Sequence, residues 1–295
     1  MINFHKYSFL DCKRLRTYLT ESNSFLTEYN PIWLFIWSDI YKPEISFTNE
    51  YIFIRYIVPE IGKVYYPPLP VSGGNLQMTL LEMEDDAKEH NIPFYLGPVL
   101  DDDIPAYKAL SINLSTITKK NTWIISSEVL ANLDKSKQFK NEIKQFNKNH
   151  KDCFLKKTVK EDFPALIEFL SVYRETAKID KDDFNFFPKL NALKKCMEHL
   201  YELNLIGVTL QDEKEVYGFA IGSIMDNAFY IHLTFTREDI VGAKPTLLSG
   251  ITKYAGAITR FVCVPTPTDE YTKDFYEKVG IQRMENYNAT FEIKE

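Results

Sequence analysis

An α/β fold with mixed sheets, laid out as two halves of similar plan, is what this sequence predicts, and three observations predict it. Short β-branched and aromatic runs alternate with amphipathic helical stretches along the chain. The later part strings three strands into a meander and follows them with helix, strand, helix and strand. Its 295 residues, 45% hydrophobic and 26% charged, are enough for two cores of ordinary globular balance.

Taken in order, residues 11–22 form a helical stretch. Residues 31–41 carry Trp33, Ile36, Trp37 and Ile40 at i, i+3, i+4 and i+7, the buried stripe of a short helix. Tyr51–Val58 is a β-branched and aromatic strand. Another over 64–66 stops at Pro67 and Pro68, because proline has no N–H to give a ladder. Gly73, Gly74 and Asn75 open a helix over 76–90, and 93–96 is a strand. The second half begins with a helix over 135–148, whose Phe139, Ile143 and Phe146 turn inward among lysines. A strand over 154–159 follows, then a helix from Asp162 with Pro164 in its tolerant first turn, and a helix over 190–202. Strands over 205–210, 216–225 and 228–236 are joined by the polar turns Asp212-Glu213-Lys214 and Asp226-Asn227. After a loop over 238–244, Pro245 heads a helix over 246–257. A strand over 260–264, a helix over 269–278 and a strand over 288–293 end the chain. The break between halves falls in 115–125, giving domains of 1–120 and 121–295.

Composition excludes several classes. Thirty-five basic against 41 acidic side chains leave a net charge of −6, so the chain as a whole is no polycation. No apolar run approaches the roughly 20 residues a bilayer span needs; the stretch from Trp33 to Trp37 is far too short. The first residues lack the apolar core and small-residue cleavage site of a secretory signal, so a cytoplasmic protein is expected. Cys12, Cys153, Cys196 and Cys263 make no C-x-x-C pair, and the histidines show no H-E-x-x-H spacing. No metal is expected.

The chemistry concentrates late in the chain. On the strand over 228–236, regular alternation puts Phe229, Ile231, Leu233 and Phe235 on one side. Tyr230, His232, Thr234 and Thr236 then fall on the other. His232 is the histidine on that polar side, a general base near neutral pH or a hydrogen-bonded structural group. The following loop, Val241-Gly242-Ala243-Lys244, leads into a helix whose unpaired N–H groups and positive dipole end favour a pyrophosphate. Gly242, Ala243, Lys244 and Thr246 are therefore candidates to hold such an anion. The alternative is a plain turn in which Gly242 serves the backbone. Lys137, Lys140, Lys144 and Lys148 recur three or four apart on one helical face, a site for an anion such as tRNA or a solvated face.

The order of strands and helices in the second half resembles the Gcn5-related N-acetyltransferase fold. Thr272-Lys273-Asp274-Phe275-Tyr276-Glu277-Lys278-Val279-Gly280-Ile281 looks like that family's A-x-x-F-Y-x-K-x-G-F helix end. The resemblance implies that the anion at the Gly242 loop belongs to an acyl cofactor and that Phe235 and Thr236, at the end of the strand, help to hold it. It also implies that Tyr276 protonates a leaving coenzyme A thiolate; the alternative is that it packs the helix on the sheet. Over nearly its full length the chain also resembles a bacterial family, the soluble C-terminal domain of phosphatidylglycerol lysyltransferase and its stand-alone relatives. Ile32 to Trp37 is similar to that family's L-Y-I-W element, and Lys140-Asn141-Glu142-Ile143-Lys144-Gln145-Phe146 to its K-R-N-x-I-x-x-F segment. Gly218 to Gly222 resembles its central strand. Thr234 stands where the family carries an acid, and the family's L-R-x-x-K-x-S-Y-x-P ending is replaced by Phe275 to Gly280. What the resemblance implies is two tandem acetyltransferase-like halves with the active one C-terminal. The donor would be acetyl-coenzyme A or a related acyl-coenzyme A and the acceptor a small amine. Aminoacyl-tRNA is the alternative donor, and a non-catalytic ligand sensor the alternative role.

Overall fold

The structure is a computed structural model describing residues 2–19, 26–59, 61–176, 186–256, 258–267 and 270–293. The chain divides into two units: Met1–Thr122 with Met284–Glu295, and Trp123–Arg283. In chain order the first unit runs β1 (His5–Lys6), α1 (Phe9–Leu19), α2 (Pro31–Ile36), α3 (Ser38–Tyr41), β2 (Glu44–Phe47), β3 (Tyr51–Val58) and β4 (Gly62–Tyr65). It goes on through β5 (Leu69–Pro70), α4 (Leu76–Glu89), β6 (Leu96–Leu100), α5 (Ile104–Ala109) and β7 (Ile112–Ser126). From Trp123, β7 belongs to the second unit. That unit continues with α6 (Ser127–Ala131), α7 (Lys140–Asn149), β8 (Phe154–Lys157), α8 (Phe163–Thr176), α9 (Phe186–Glu198) and β9 (Ile206–Gln211). β10 (Val216–Met225), β11 (Ala228–Thr236), α10 (Ala243–Ala255), β12 (Phe261–Val264) and α11 (Glu270–Val279) follow. The last strand, β13 (Gln282–Ile293), belongs to the first unit from Met284 onward.

The two sheets share a plan. In the first unit the strand order is β1-β2-β3-β4-β6-β13-β7, and in the second β7-β12-β11-β10-β9-β8. Each has an antiparallel meander, β2-β3-β4 or β9-β10-β11. A helix then crosses over, α4 or α10, and delivers a strand parallel to the meander's last member. β7 pairs with β12 and β13 with β6, so a strand from each half of the sequence completes the sheet of the other.

Each core lies between sheet and crossover helix. In the first unit Tyr51, Phe53 and Tyr65 meet Leu80, Met83 and Ala87 of α4. In the second, Ala220, Phe229 and Ile231 meet Leu247, Leu248 and Ile251 of α10 and Phe275, Tyr276 and Val279 of α11. Burying each of the three α10 side chains contributes about 2 kcal/mol before entropy is counted.

Several elements differ from the sequence expectation. The helix expected over 31–41 breaks at Trp37, whose φ of −93° and ψ of 15° end α2; Asn30 caps its start, accepting from the Ile32 and Trp33 N–H groups. The strand expected over 93–96 lies at Leu96–Leu100, running through Gly97 and Pro98. Within the expected break at 115–125 the chain runs as β7, the longest strand described, and the units divide inside it between Thr122 and Trp123; the return of Met284–Glu295 to the first unit was not expected. Residues 20–22 of the first expected helix, and Ala257 and Asp269 at the ends of two others, lie outside the described residues.

Candidate active site

In the second unit the parallel pair opens into a fork. β11 and β12 pair only as Ala228 with Phe261, Phe229 with Val262 and Tyr230 with Cys263. β12 ends at Val264 while β11 continues to Thr236 beside β10. Beyond Tyr230, the β12 side of β11 therefore has no strand partner among the described residues.

A bulge sits at the apex. On β10, Gly222 opposes Ile231 and the next residue, Ile221, opposes Leu233, which leaves His232 as the extra residue on β11. The bulge overturns the regular alternation expected for this strand. Phe229 and Ile231 belong to the α10-side core, but Phe235 lies on the other face, 5.3 Å from Phe219 and 5.4 Å from Tyr173 of α8. Thr234 and Thr236, opposite Ala220 and Gly218, accordingly stand on the α10 side. Nothing in the Phe229-to-Thr236 pattern signals this, because its apolar and polar residues alternate without interruption.

The α8 side of the apex is a buried polar group. His232 Nε2 lies 2.8 Å from Ser223 Oγ. Ser223 is the register partner of Tyr230, so Tyr230 shares that face, and its side chain hydrogen-bonds Cys263 where the strands diverge. Burial raises the Tyr230 phenol well above its ordinary value, with Cys263 and Asp226 adding to it. Burial likewise pushes the Cys263 thiol up to about 12. The phenol therefore stays protonated, with its O–H as a donor. Sequence reasoning missed Tyr230, Ser223 and Cys263 as a group. Their one signal was Tyr230 two residues before His232.

The remaining candidates lie on the α10 side. Gly242, at φ +88°, caps α10, and a Cβ there would stand 2.4 Å from the Glu142 carbonyl oxygen of α7. Thr246 Oγ1 donates to the Gly242 carbonyl at 2.7 Å, and Ala243 is fully buried. Lys244 is buried too; its Nζ donates to Thr272 Oγ1 at 2.6 Å and lies 4.7 Å from the Tyr271 ring centre. Lys244 thus joins the first turns of α10 and α11. Tyr276 is fully buried, its ring centre 6.3 Å from that of Trp123, so Tyr276 and His232 lie on opposite faces of the sheet. Arg237, at the end of β11, is held in two hydrogen bonds by Asp239. Lys137, Lys140, Lys144 and Lys148 are exposed on and just before α7.

The first unit has the matching opening, and its own chain fills it. β4 and β6 pair in parallel only at Tyr65 with Leu96. Tyr29 donates its hydroxyl to the Pro98 carbonyl beyond β6's start, and Tyr66, just past β4, donates to the Glu28 carbonyl. The Tyr29 and Tyr66 rings stand 5.2 Å apart between them.

No family model matches the sequence, and no curated protein matches it. Solved structures do. A conserved protein of unknown function from Bacteroides thetaiotaomicron VPI-5482 superposes with a TM-score of 0.87 at 15% identity, over 98% of this chain and 99% of that one. The C-terminal domain of a putative lysylphosphatidylglycerol synthetase from Agrobacterium fabrum matches at TM-score 0.62 and 8% identity, over 95% and 91%. L-PGS from Bacillus licheniformis matches at 0.62 and 13%, over 97% and 92%. At such identities the likeness is one of fold. At that level the resemblance drawn from the sequence holds: a mixed α/β fold shared with a lysylphosphatidylglycerol synthetase domain and with a conserved protein of unknown function.

Proposed function

We propose that the second unit is an acyltransferase that moves an acyl group from a thioester donor, acetyl-coenzyme A first among candidates, to a primary amine. The fork carries this reading: the β11–β12 ladder stopping at Tyr230, a bulged histidine at its apex and the starts of α10 and α11 tied together by Lys244 on the α10 side. The fold shared with L-PGS supports acyl transfer in general. In the step itself the amine nitrogen attacks the thioester carbonyl, a C–N bond forms and the C–S bond breaks. His232 takes the proton the amine sheds, positioned by Ser223. Tyr230 offers its hydrogen bond to the departing thiolate, which takes a proton from water on release. Of the two phenols, Tyr230 shares the histidine's face and Tyr276 does not.

Calorimetric titration with acetyl-coenzyme A, and with coenzyme A alongside, tests the donor. Binding near about 10 μM is expected, weakened at least tenfold by Thr234→Glu, which sets a carboxylate beside an anionic ligand. Absence of binding retires the thioester. Where turnover is found, Tyr230→Phe should lower it and Tyr276→Phe should not; the reverse would return the acid role to Tyr276.

A second reading keeps the fold and takes aminoacyl-tRNA as donor. It is favoured by Lys137, Lys140, Lys144 and Lys148, four exposed cations with no carboxylate partner among the described residues. Salt-sensitive tRNA binding that weakens in Lys140→Ala with Lys144→Ala would support it.

A further inference from the structure

On the α10 side of the second unit's sheet, α7, β8, β9 and α10 line a half-open cavity of about 260 Å³. Its floor is apolar: Ile143 and Phe146 of α7, Leu155 of β8 and Leu210 of β9. From α10 come Thr246, Ser249, Gly250 and Lys253, spaced i, i+3, i+4 and i+7 on one face. Gly250 keeps α10 close to β8 here, since a Cβ at that position would stand 2.4 Å from Leu155 Cδ1.

The mouth is polar and carries both signs. Lys253 Nζ and Asp134 Oδ1 stand 3.7 Å apart, each side chain about half exposed at 52% and 45%. A pair that loose and that wet is worth ~1 kcal/mol or less, so either partner turns to a new counter-charge at little cost. Ser249 Oγ and Thr246 Oγ1 both donate to main-chain carbonyls, of Ala131 and Gly242, which leaves their oxygen lone pairs as acceptors.

We propose that this cavity binds a free α-amino acid with an aromatic or branched apolar side chain. The side chain lies on the Ile143, Phe146, Leu155 and Leu210 floor, the carboxylate meets Lys253 and the ammonium meets Asp134. Size and charge select this class. An apolar cavity of about 150 Å³ holds one benzene ring, so the volume here takes a ring or branched chain with the amino-acid carbons above it. One cation and one anion at the rim complement a zwitterion better than an ion of either sign alone.

Cys153 lines the cavity and is half-buried, whereas Cys12, Cys196 and Cys263 are buried, so its alkylation reports occupancy. The probes are L-phenylalanine and L-leucine, with phenylacetate and phenethylamine as singly charged controls and L-lysine as the polar one. Mass spectrometry of iodoacetamide-treated protein should show L-phenylalanine and L-leucine slowing Cys153 labelling about fivefold or more at saturation. The three controls should need at least about ten times the concentration for the same protection. Lys253→Gln, a change at the rim, should weaken L-phenylalanine about tenfold without altering the melting temperature. Three results would overturn the proposal: no protection by either amino acid at about 10 mM, phenylacetate protecting as well as L-phenylalanine, or protection unchanged in Lys253→Gln. Of the residues given to the transferase site only Thr246, in the first turn of α10, also lines this cavity, and Lys253, Asp134 and Cys153 belong to the cavity alone, so acetyl-coenzyme A titration of Lys253→Gln separates failure here from failure of the transferase reading.

Discussion

Gly242 illustrates how one residue that looks chemical in sequence also meets an architectural demand in the structure. A glycine ahead of a helix start matches a phosphate-cradling loop, and the sequence offers no way to tell which body the backbone approaches. In the folded chain that body is α7: a Cβ would lie 2.4 Å from the Glu142 carbonyl oxygen and 2.8 Å from Phe146 Cβ. Gly242→Ala meets both that overlap and a φ of +88°, and should cost about 3 kcal/mol of stability in chemical denaturation. A variant as stable as the parent would mean that α7 moves aside readily. His232 gives the complementary case. Residue type made it a candidate base, but its neighbours follow from the bulge, which depends on β10 pairing and is invisible in the alternation of β11.

Elements were legible where a period ran uninterrupted. The meander β9-β10-β11 and the helices α4, α7 and α10 follow from apolar spacing and turn chemistry close to where they occur. β7 does not, because its middle, Thr118-Lys119-Lys120-Asn121, is polar and only partly buried, which imitates a linker. What holds it in place is tertiary: Thr118 and Thr122 accept from the Asn288 and Asn286 side-chain amides of β13. Polar ties also join elements in the first unit, where Arg55 of β3 bonds Glu44 of β2 and the buried Asp86 of α4, and Tyr65 of β4 donates to Asp86. Arg55→Met leaves the Asp86 carboxylate buried beside a missing cation and should cost about 3–5 kcal/mol. Glu44 adds a pH dependence. Burial alone would raise its carboxyl, but hydrogen bonds from Lys63 and Arg55 outweigh that and hold it below the ordinary value. A lowered folded value means stability that is present above the unfolded glutamate range of about 4.3 and lost as pH falls through the folded one. The gap in urea midpoint between the parent and Glu44→Gln should therefore be open at neutral pH and close under acid, by about 1 kcal/mol or less for so wet a group. A gap that widened on acidification would contradict the assignment.

At the scale of the molecule one plan occurs twice with two outcomes. Both parallel pairs open, but Tyr29 and Glu28 occupy the first opening while the second retains its bulged histidine and adjoining helix starts. The proposed function is placed in the second unit on that difference. The similarity of the halves was legible in the order of strands and helices. The exchange of β7 and β13 was not, because it depends on pairings between strands far apart in sequence. That exchange has a direct consequence. In the first unit β13 lies between β6 and β7, so a chain ending at Arg283 removes an interior strand rather than a tail. Two strands then face each other across a gap with their ladders unmet. One of them, β7, is long, the kind of edge that pairs with other chains. Such a chain should lose the first unit's fold and aggregate. Amide exchange should then find β2 to β6 unprotected, even where the second unit's β9 to β11 stay protected. Native protection of β3 and β6 in the shortened chain would show that β13 covers the sheet without being needed to build it. The last dozen residues would then count as an accessory to the first unit.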